Sequence, residues 1–133
     1  MMMPRTNIRV LLCNRHTLFR EGIKALFLER TAIQVIGEAA TARQTLSLMK
    51  RLRPDVVLLD ATTRDLSCSE VTRRIKVIDP RVEILILSLY DDEVLVSGCL
   101  EAGAAGYIRK SDEPVQLRRA ISTAASRRAR WAA

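Results

Sequence analysis

The chain has 133 residues, of which 48% are hydrophobic and 28% are charged, with a formal net charge of +7. This length suits one domain with a full hydrophobic core, and the composition excludes a disordered chain. The apolar runs are far too short to cross a bilayer and the first residues lack the apolar core of a secretory signal, so we expect a cytoplasmic protein without membrane contact.

Five short runs of β-branched and aliphatic residues predict five strands, at residues 8–13, 33–39, 55–60, 82–88 and 105–108. The segments between them have helical length and period. One helix face is expected to hold Leu18, Ile23, Leu26 and Phe27, and the next Leu46, Leu48, Met49 and Leu52. Because strands and helices alternate, we predict an α/β fold with a doubly wound, parallel, five-stranded sheet.

Several helix boundaries carry their own signals. Thr41 is expected to cap the second helix and Arg53-Pro54 to end it. Residues 111–114, Ser-Asp-Glu-Pro, are typical of a helix start, which predicts a last helix over roughly residues 113–129.

The cysteines Cys13, Cys68 and Cys99 are odd in number and widely spaced. This pattern indicates neither a disulfide framework nor a zinc site, so we expect buried or surface thiols.

The positive charge is concentrated at the end of the chain. Residues 109–133 contain seven Lys or Arg and two acids. Such a segment could bind nucleic acid or an acidic partner, but a solvated helix face or a linker is the favoured interpretation.

Ligands of an open α/β sheet gather at the carboxyl ends of its strands. The predicted ends present residues 13–16, Asp60 with residues 61–63, Ser88, and Arg109 with Lys110. Asp60 ends an apolar run, where an ionised group is costly unless it is paired or used. A functional carboxylate and a helix-capping carboxylate are both open at this point.

Five segments in order resemble the receiver domains of two-component response regulators, most closely the NarL/FixJ (LuxR-type) class. They are IRVLLCNRHTLFREGIKALF, VIGEAATARQTL, RPDVVLLD, VEILILSLYDDE and LEAGAAGYIRKS. The resemblance covers nearly the whole chain and implies the CheY-like, flavodoxin-like (βα)5 fold with strand order 2-1-3-4-5.

The resemblance also implies roles for individual residues. Asp60 matches the phosphoacceptor, Ser88 the hydroxyl that contacts the phosphoryl group, Lys110 its lysine partner, and Tyr107 the aromatic that reports activation. Each role has a chemical reason, since a carboxylate attacks phosphorus while a lysine and a hydroxyl stabilise charge on the oxygens.

Asn14 and Arg15 depart from the family, which keeps two acids there to hold Mg²⁺ with the phosphoacceptor and a backbone carbonyl matching Thr62. Because an arginine has donors and no acceptor, we expect no metal unless the pocket is competent for Mg²⁺. Arg15 is expected to reach Asp60 and form an ion pair, with a swing into solvent as the alternative.

The loop after Asp60 departs as well. It has Thr63-Arg64 and Cys68 where the family has Met-Pro and a glycine, which indicates relaxed selection or altered partners. His16 is interpreted as a loop or helix-start residue.

Three functions follow, in order of preference. The first is an atypical receiver with weakened Mg²⁺-dependent phosphorylation at Asp60, and the second is an ordinary phospho-accepting receiver that tolerates Asn14 and Arg15. A small α/β enzyme or nucleotide-binding protein is a distant third, because no glycine-rich phosphate loop follows the first strand. The favoured interpretation is therefore not an enzyme.

The resemblance further implies a domain plan and partners. Residues 1–126 are expected to form the receiver domain, and residues 127–133 a basic tail or the start of a linker to an effector domain absent from this chain. A sensor histidine kinase, unless that partner has been lost, and a homodimer are the implied partners. DNA is expected only through a C-terminal helix-turn-helix domain that controls transcription.

Overall fold

The computed structural model describes residues 7–28, 32–88 and 93–132, with side chains through residue 129. Strands and helices alternate along these ranges as β1 (Ile8–Cys13), α1 (Thr17–Leu26), β2 (Ile33–Ala39), α2 (Ala42–Leu52), β3 (Val56–Asp60), α3 (Cys68–Ile78), β4 (Glu83–Ser88), α4 (Glu93–Glu101), β5 (Gly106–Arg109) and α5 (Pro114–Ala132). The sheet is parallel with order β2-β1-β3-β4-β5. The predicted fold class and strand order are confirmed.

The sheet is covered on both faces because successive strand residues point to opposite sides. Leu11 of β1 and Leu59 of β3 pack with α2, α3 and α4 in one core cluster. Leu12 and Leu58 belong to the second cluster, under α1 and α5. The strands β3 and β4 are buried along their whole length, as expected for the centre of a doubly wound sheet.

The helix boundaries follow the signals in the sequence. The Thr41 hydroxyl accepts a hydrogen bond from Gln44 N at 3.1 Å and caps α2. That helix ends at Leu52, and Arg53 adopts the left-handed conformation, with φ 49°, directly before Pro54. The last helix begins at Pro114, where a missing N–H costs nothing. The three predicted boundaries are confirmed.

Two expectations about helices need correction or extension. Leu18 does not join the buried face of α1, since it is 87% exposed while Ile23 and Phe27 are buried. It lies in the first helical turn, beyond the side chains that cover the sheet. The last helix continues to Ala132 without a break at the expected boundary between 126 and 127, which stays a prediction as a domain limit.

The three cysteines are free and buried. Burial raises the pKa of Cys13 to about 11, so its thiol is neutral at physiological pH. Cys68 and Cys99 form a hydrogen bond that, together with burial, raises the pKa of Cys68. The thiols therefore contribute packing between α3, α4 and the sheet.

Within the described residues, no helix has the length and apolar character needed to span a membrane.

Candidate functional site

The strand register brings the predicted site residues to one edge of the sheet. Cys13 pairs with Leu59, so Asn14 and Asp60, which come next, lie side by side. Asp60 pairs with Leu87, the residue before Ser88, and Ser88 pairs with Arg109, the residue before Lys110. Four separate segments thus converge, as expected for the carboxyl ends of neighbouring parallel strands.

Asp60 is a buried carboxylate with a defined set of contacts. Only 2% of the residue is exposed. Its Oδ1 accepts hydrogen bonds from the Thr62 backbone N–H and the Thr62 hydroxyl, each at 3.0 Å. Lys110 Nζ lies 3.6 Å from the same oxygen, within ion-pair range but longer than a typical hydrogen bond. The carboxylate is therefore held from one side by Thr62 and faces one cation.

The alternative role of Asp60 as a helix cap is wrong. The N-cap of α3 is Ser67, whose hydroxyl accepts a hydrogen bond from Glu70 N at 3.2 Å. Because Asp60 lies seven positions before this cap, its carboxylate is available for a role at the sheet edge.

Lys110 is positioned by the β4–β5 pairing and by an aromatic ring. Its backbone N–H donates to the carbonyl of Ser88 at 2.8 Å. The ammonium lies 4.6 Å from the ring centroid of Phe19, and the side chain is only 9% exposed. A cation over an aromatic face is attracted by the ring quadrupole, so Phe19 helps to hold the lysine near Asp60. Sequence reasoning missed Phe19, because nothing in the chain links residue 19 to residue 110.

Asn14 is fully buried and only half satisfied. Its Oδ1 accepts from the His16 backbone N–H at 2.8 Å, and its own N–H donates to the Ala39 carbonyl. Its Nδ2 has no hydrogen-bond partner among the described residues. An unsatisfied buried donor costs about 1–3 kcal/mol, so this amide group is an unusual feature next to Asp60.

Arg15 does not pair with Asp60, and the expected ion pair is wrong. The residue is exposed, and no ion pair of Arg15 occurs in the part of the chain that the structure describes. The turn closed by Asn14 Oδ1 and His16 N buries residue 14 and directs residue 15 outward. In the structure Arg15 extends into solvent and Asp60 faces Lys110, as the alternative expectation stated.

The residues present do not fit Mg²⁺. This ion takes six oxygen ligands in octahedral order, and carboxylates usually offset its charge. Asp60 is the carboxylate that the described residues place at the end of β3, Asn14 has turned its oxygen to His16, and Arg15 has no acceptor. Among the described residues, no group of three His, Cys, Asp or Glu could hold a metal ion.

The remaining predicted residues take two different positions. Ser88 is buried, with 3% of its surface exposed, at the end of β4 next to Lys110. Tyr107 lies on β5 and is 41% exposed. Ser88 thus belongs to the convergent set, whereas any role of Tyr107 has to act through the strand.

The loop after Asp60 is fixed by a carboxylate that sequence reasoning missed. Asp65 accepts hydrogen bonds from the N–H groups of Ala42 and Arg43, at 3.0 and 2.9 Å, at the start of α2. Burial alone would raise its pKa, but these backbone N–H groups outweigh burial and lower it. Asp65 therefore anchors the loop that lacks proline and glycine. An acid in a polar loop gave no signal of a partner 23 residues earlier.

The sequence and the structure were compared with known proteins. Residues 10–122 match the family model described as response regulator receiver domain. The chain is 35% identical, over 92% of its length and 56% of the relative, to the uncharacterized transcriptional regulatory protein YxjL of Bacillus subtilis. It is 30% identical, over 89% of its length and 50% of the relative, to the transcriptional regulatory protein DegU of Brevibacillus brevis.

A solved structure gives the same result. The model superposes on a LuxR-family two-component response regulator from Aurantimonas with a TM-score of 0.85 at 32% identity, covering 91% of this chain and 86% of that one. The chain spans about half the length of the two curated relatives. With its fold, its convergent Asp60, Ser88 and Lys110, and these matches, the chain belongs to the receiver domain family of response regulators.

Proposed function

We propose that this receiver domain signals with weakened Mg²⁺-dependent phosphorylation of Asp60. The observation that supports this proposal is the buried Asn14, which the strand register places next to Asp60, where the resemblance implies a metal-binding acid, and whose Nδ2 has no partner among the described residues. A donor in that position repels a cation that an acid would attract. The fold and the surfaces of the domain remain, while the chemistry that uses the metal is reduced.

The charge balance of the pocket supports the same proposal. The resemblance implies three carboxylates around one divalent ion, whereas among the described residues Asp60 forms one ion pair, with Lys110. This pair is neutral without a metal. Two unit charges near 4 Å attract by roughly 4 kcal/mol at an effective dielectric near 20, before desolvation is subtracted. A divalent ion would add excess positive charge to a site that is already compensated.

A second candidate is an ordinary phospho-accepting receiver. It is favoured by the convergence of Asp60, Ser88 and Lys110, which are the residues that would attack phosphorus and stabilise the oxygens of a phosphoryl group. In this candidate Lys110 and Arg15 together replace the charge of the metal. Mg²⁺ is expected as a cofactor only to the extent that phosphorylation is retained.

The whole protein's role is part of the proposal as well. Receiver domains are signalling modules, and the names of the relatives describe transcriptional regulators about twice as long as this chain. We propose that a sensor kinase provides the input, that the domain acts in a homodimer, and that output passes to a DNA-binding domain. Contact with DNA belongs to that second domain and not to the basic end of α5.

A phosphorylation assay tests the proposal. The chain is incubated with acetyl phosphate at increasing Mg²⁺ and the fraction carrying one phosphoryl group is measured by intact mass. Wild type is compared with Asp60→Asn and with the double variant Asn14→Asp/Arg15→Asp. We expect weak labelling of wild type, none of Asp60→Asn, and Mg²⁺-dependent labelling of the double variant.

The double variant needs a control with the same change in charge. Arg119→Asp/Ser122→Asp removes and adds the same charges on the exposed face of α5. It is expected to label like wild type. If wild type and the Asn14/Arg15 variant are labelled equally and with the same Mg²⁺ dependence, the proposal of weakened phosphorylation is wrong and the second candidate takes its place.

A further inference from the structure

A groove of about 300 Å³ lies between α1 and α5, beside the Asp60 pocket. Phe19, Gly22 and Ile23 of α1 form one wall, and Leu117 of α5 forms part of the other. The buried side chain of Ile108 lines its floor. Most of the lining is therefore apolar, which is typical of sites that bind small molecules.

The groove exists because α1 has no side chain at the point where it faces α5. A Cβ placed on Gly22 would meet no atom within 4 Å, so the space next to this residue is open. Leu18, one turn earlier, is 87% exposed although it also lines the groove. Apolar surface left uncovered in this way is a common mark of an interaction site.

Two cationic residues, Lys110 and Arg109, contribute to the lining of the groove. Lys110 lines it, with its ammonium over the Phe19 ring and 3.6 Å from Asp60 Oδ1. Its side chain is 9% exposed, so the charge is largely shielded from water and interacts strongly with an anion that reaches it. The acid in the lining, Asp112, is already engaged, because it accepts a hydrogen bond from Arg109 N at 3.1 Å.

We propose that this groove binds a small amphipathic carboxylate, with its apolar body between α1 and α5 and its anionic group at Lys110. Charge complementarity selects the anionic end and the apolar walls select the body. The volume lies at the lower end of the range of about 300–1,000 Å³ found for ligand pockets, which suits a short acyl chain or a one- or two-ring compound. This site goes beyond the proposed function, because it does not require Asp60 to be phosphorylated.

Lys110 connects the groove to the Asp60 pocket. The same ammonium contacts Asp60 and the ring of Phe19, so an anion in the groove would share the cation with Asp60. A ligand can shift a conformational equilibrium only by its different affinity for the two states. Competition for one lysine provides such a difference, and it gives the domain an input that does not need a metal.

Binding of simple eight-carbon probes tests the proposal. Octanoate, octanol and octyltrimethylammonium are titrated separately into ¹⁵N-labelled protein, and backbone amide shifts are recorded. We expect saturable shifts around Gly22, Ile108 and Lys110 with octanoate, weaker binding of octanol, and the weakest binding of the cation. The carboxylate is expected to bind about fivefold more tightly than the alcohol, as for a partly shielded charge pair.

Two glycine variants locate the site. Gly22→Leu fills the groove and is expected to weaken octanoate binding at least about tenfold. Gly98→Leu is the matched control, because Gly98 is also a helical glycine with no atom within 4 Å of its Cβ position and lies on α4, outside the groove. Both variants should keep the wild-type circular dichroism spectrum.

A charge variant and a phosphorylation-site variant complete the test. Lys110→Met should reduce octanoate binding to the level of octanol, and Asp60→Asn should strengthen it, because the amide no longer competes for the ammonium. Failure of phosphorylation at Asp60 therefore leaves this proposal intact. Absence of saturable shifts, equal binding to Gly22→Leu and wild type, or equal binding of the anionic and cationic probes would overturn it.

Discussion

The acidic residues at the two edges of the sheet have different partners. At the amino edge Asp55 accepts from Arg9 N at 2.9 Å and pairs with Arg128 at 3.3 Å, while Glu83 pairs with Arg127 at 3.5 Å. At the carboxyl edge Asp60 faces Lys110 at 3.6 Å. Each acid of the amino edge ties α5 to the sheet, whereas Asp60 accepts hydrogen bonds from its own loop. Among the described residues, each edge has one buried side-chain nitrogen without a partner, Arg128 Nε at the amino edge and Asn14 Nδ2 at the carboxyl edge.

This difference distinguishes two acids that hold the fold from Asp60, the acid of the proposed functional site. A charge that only stabilises the fold is matched by arginines and backbone donors, because an unpaired buried charge is expensive. A group that reacts or binds a ligand has to keep some of its hydrogen-bonding or charge-pairing positions unoccupied. Such sites often lower the stability of the folded protein. The comparison predicts that equal substitutions at the two edges have unequal effects.

The largest effect is expected for Asp55→Asn, which removes the charge between Arg9 N–H and Arg128. Hydrogen bonds to charged groups contribute about 1.5–3 kcal/mol, so we expect the free energy of unfolding to fall by about 2 kcal/mol in urea denaturation. Asp60→Asn serves as the matched substitution, with an expected loss below about 1 kcal/mol because the amide oxygen still accepts from Thr62. Equal losses at both sites would contradict the distinction between the two edges.

A smaller effect is expected for Asn14→Asp, which places a second buried carboxylate beside Asp60. Two neighbouring carboxylates raise each other's pKa. Without metal we therefore expect the free energy of unfolding of the variant to fall by about 1.5 kcal/mol. Mg²⁺ should recover most of this loss, because an ion that binds only the folded state stabilises it. Thermal unfolding of the variant with and without Mg²⁺ measures both effects.

The other asparagine of the chain, Asn7, is exposed and provides the control. Asn7→Asp should unfold at the same temperature with and without Mg²⁺. If Asn14→Asp also fails to respond to the ion, the absence of an acid at position 14 is not the reason for weak metal binding.

An effect of about 1 kcal/mol is expected for Asp65→Asn, the size of a lost helix cap. Because the pKa of Asp65 is lower in the folded protein, its contribution is fully present above the unfolded pKa near 3.8 and is lost as the pH falls through the folded value. The difference in unfolding free energy between wild type and variant should therefore shrink below about pH 4. Glu101→Gln, at an exposed position on α4, should show no such difference.

Much of the fold could be predicted from the sequence, because it depends on local and periodic signals. The strand limits differ from the predicted ones by at most one residue, as at β3, which begins at Val56 and not at residue 55. The convergence of Asp60, Ser88 and Lys110 also followed, since parallel strands end at one edge. These features do not depend on how any long side chain is oriented.

The details of the site could not be predicted, because they depend on side-chain direction and distant partners. Arg15 was expected on Asp60, but a turn of three residues decides that it points to solvent. The contacts of Phe19 with Lys110 and of Asp65 with α2 join residues far apart in the chain. No spacing or composition encodes such contacts.

The smallest effect is expected for Arg15→Ala. This variant directly tests the finding that Arg15 extends into solvent and does not pair with Asp60. An exposed side chain without an ion pair contributes little, so the free energy of unfolding should change by less than about 0.5 kcal/mol. Arg20→Ala is the informative neighbour, because Arg20 pairs with Glu38 at 3.0 Å and also donates to the carbonyl of Asn14. Its loss should cost about 1 kcal/mol. If Arg15→Ala is the more costly of the two, Arg15 does contact the Asp60 pocket in solution, and the carboxyl edge is more fully paired than the structure indicates.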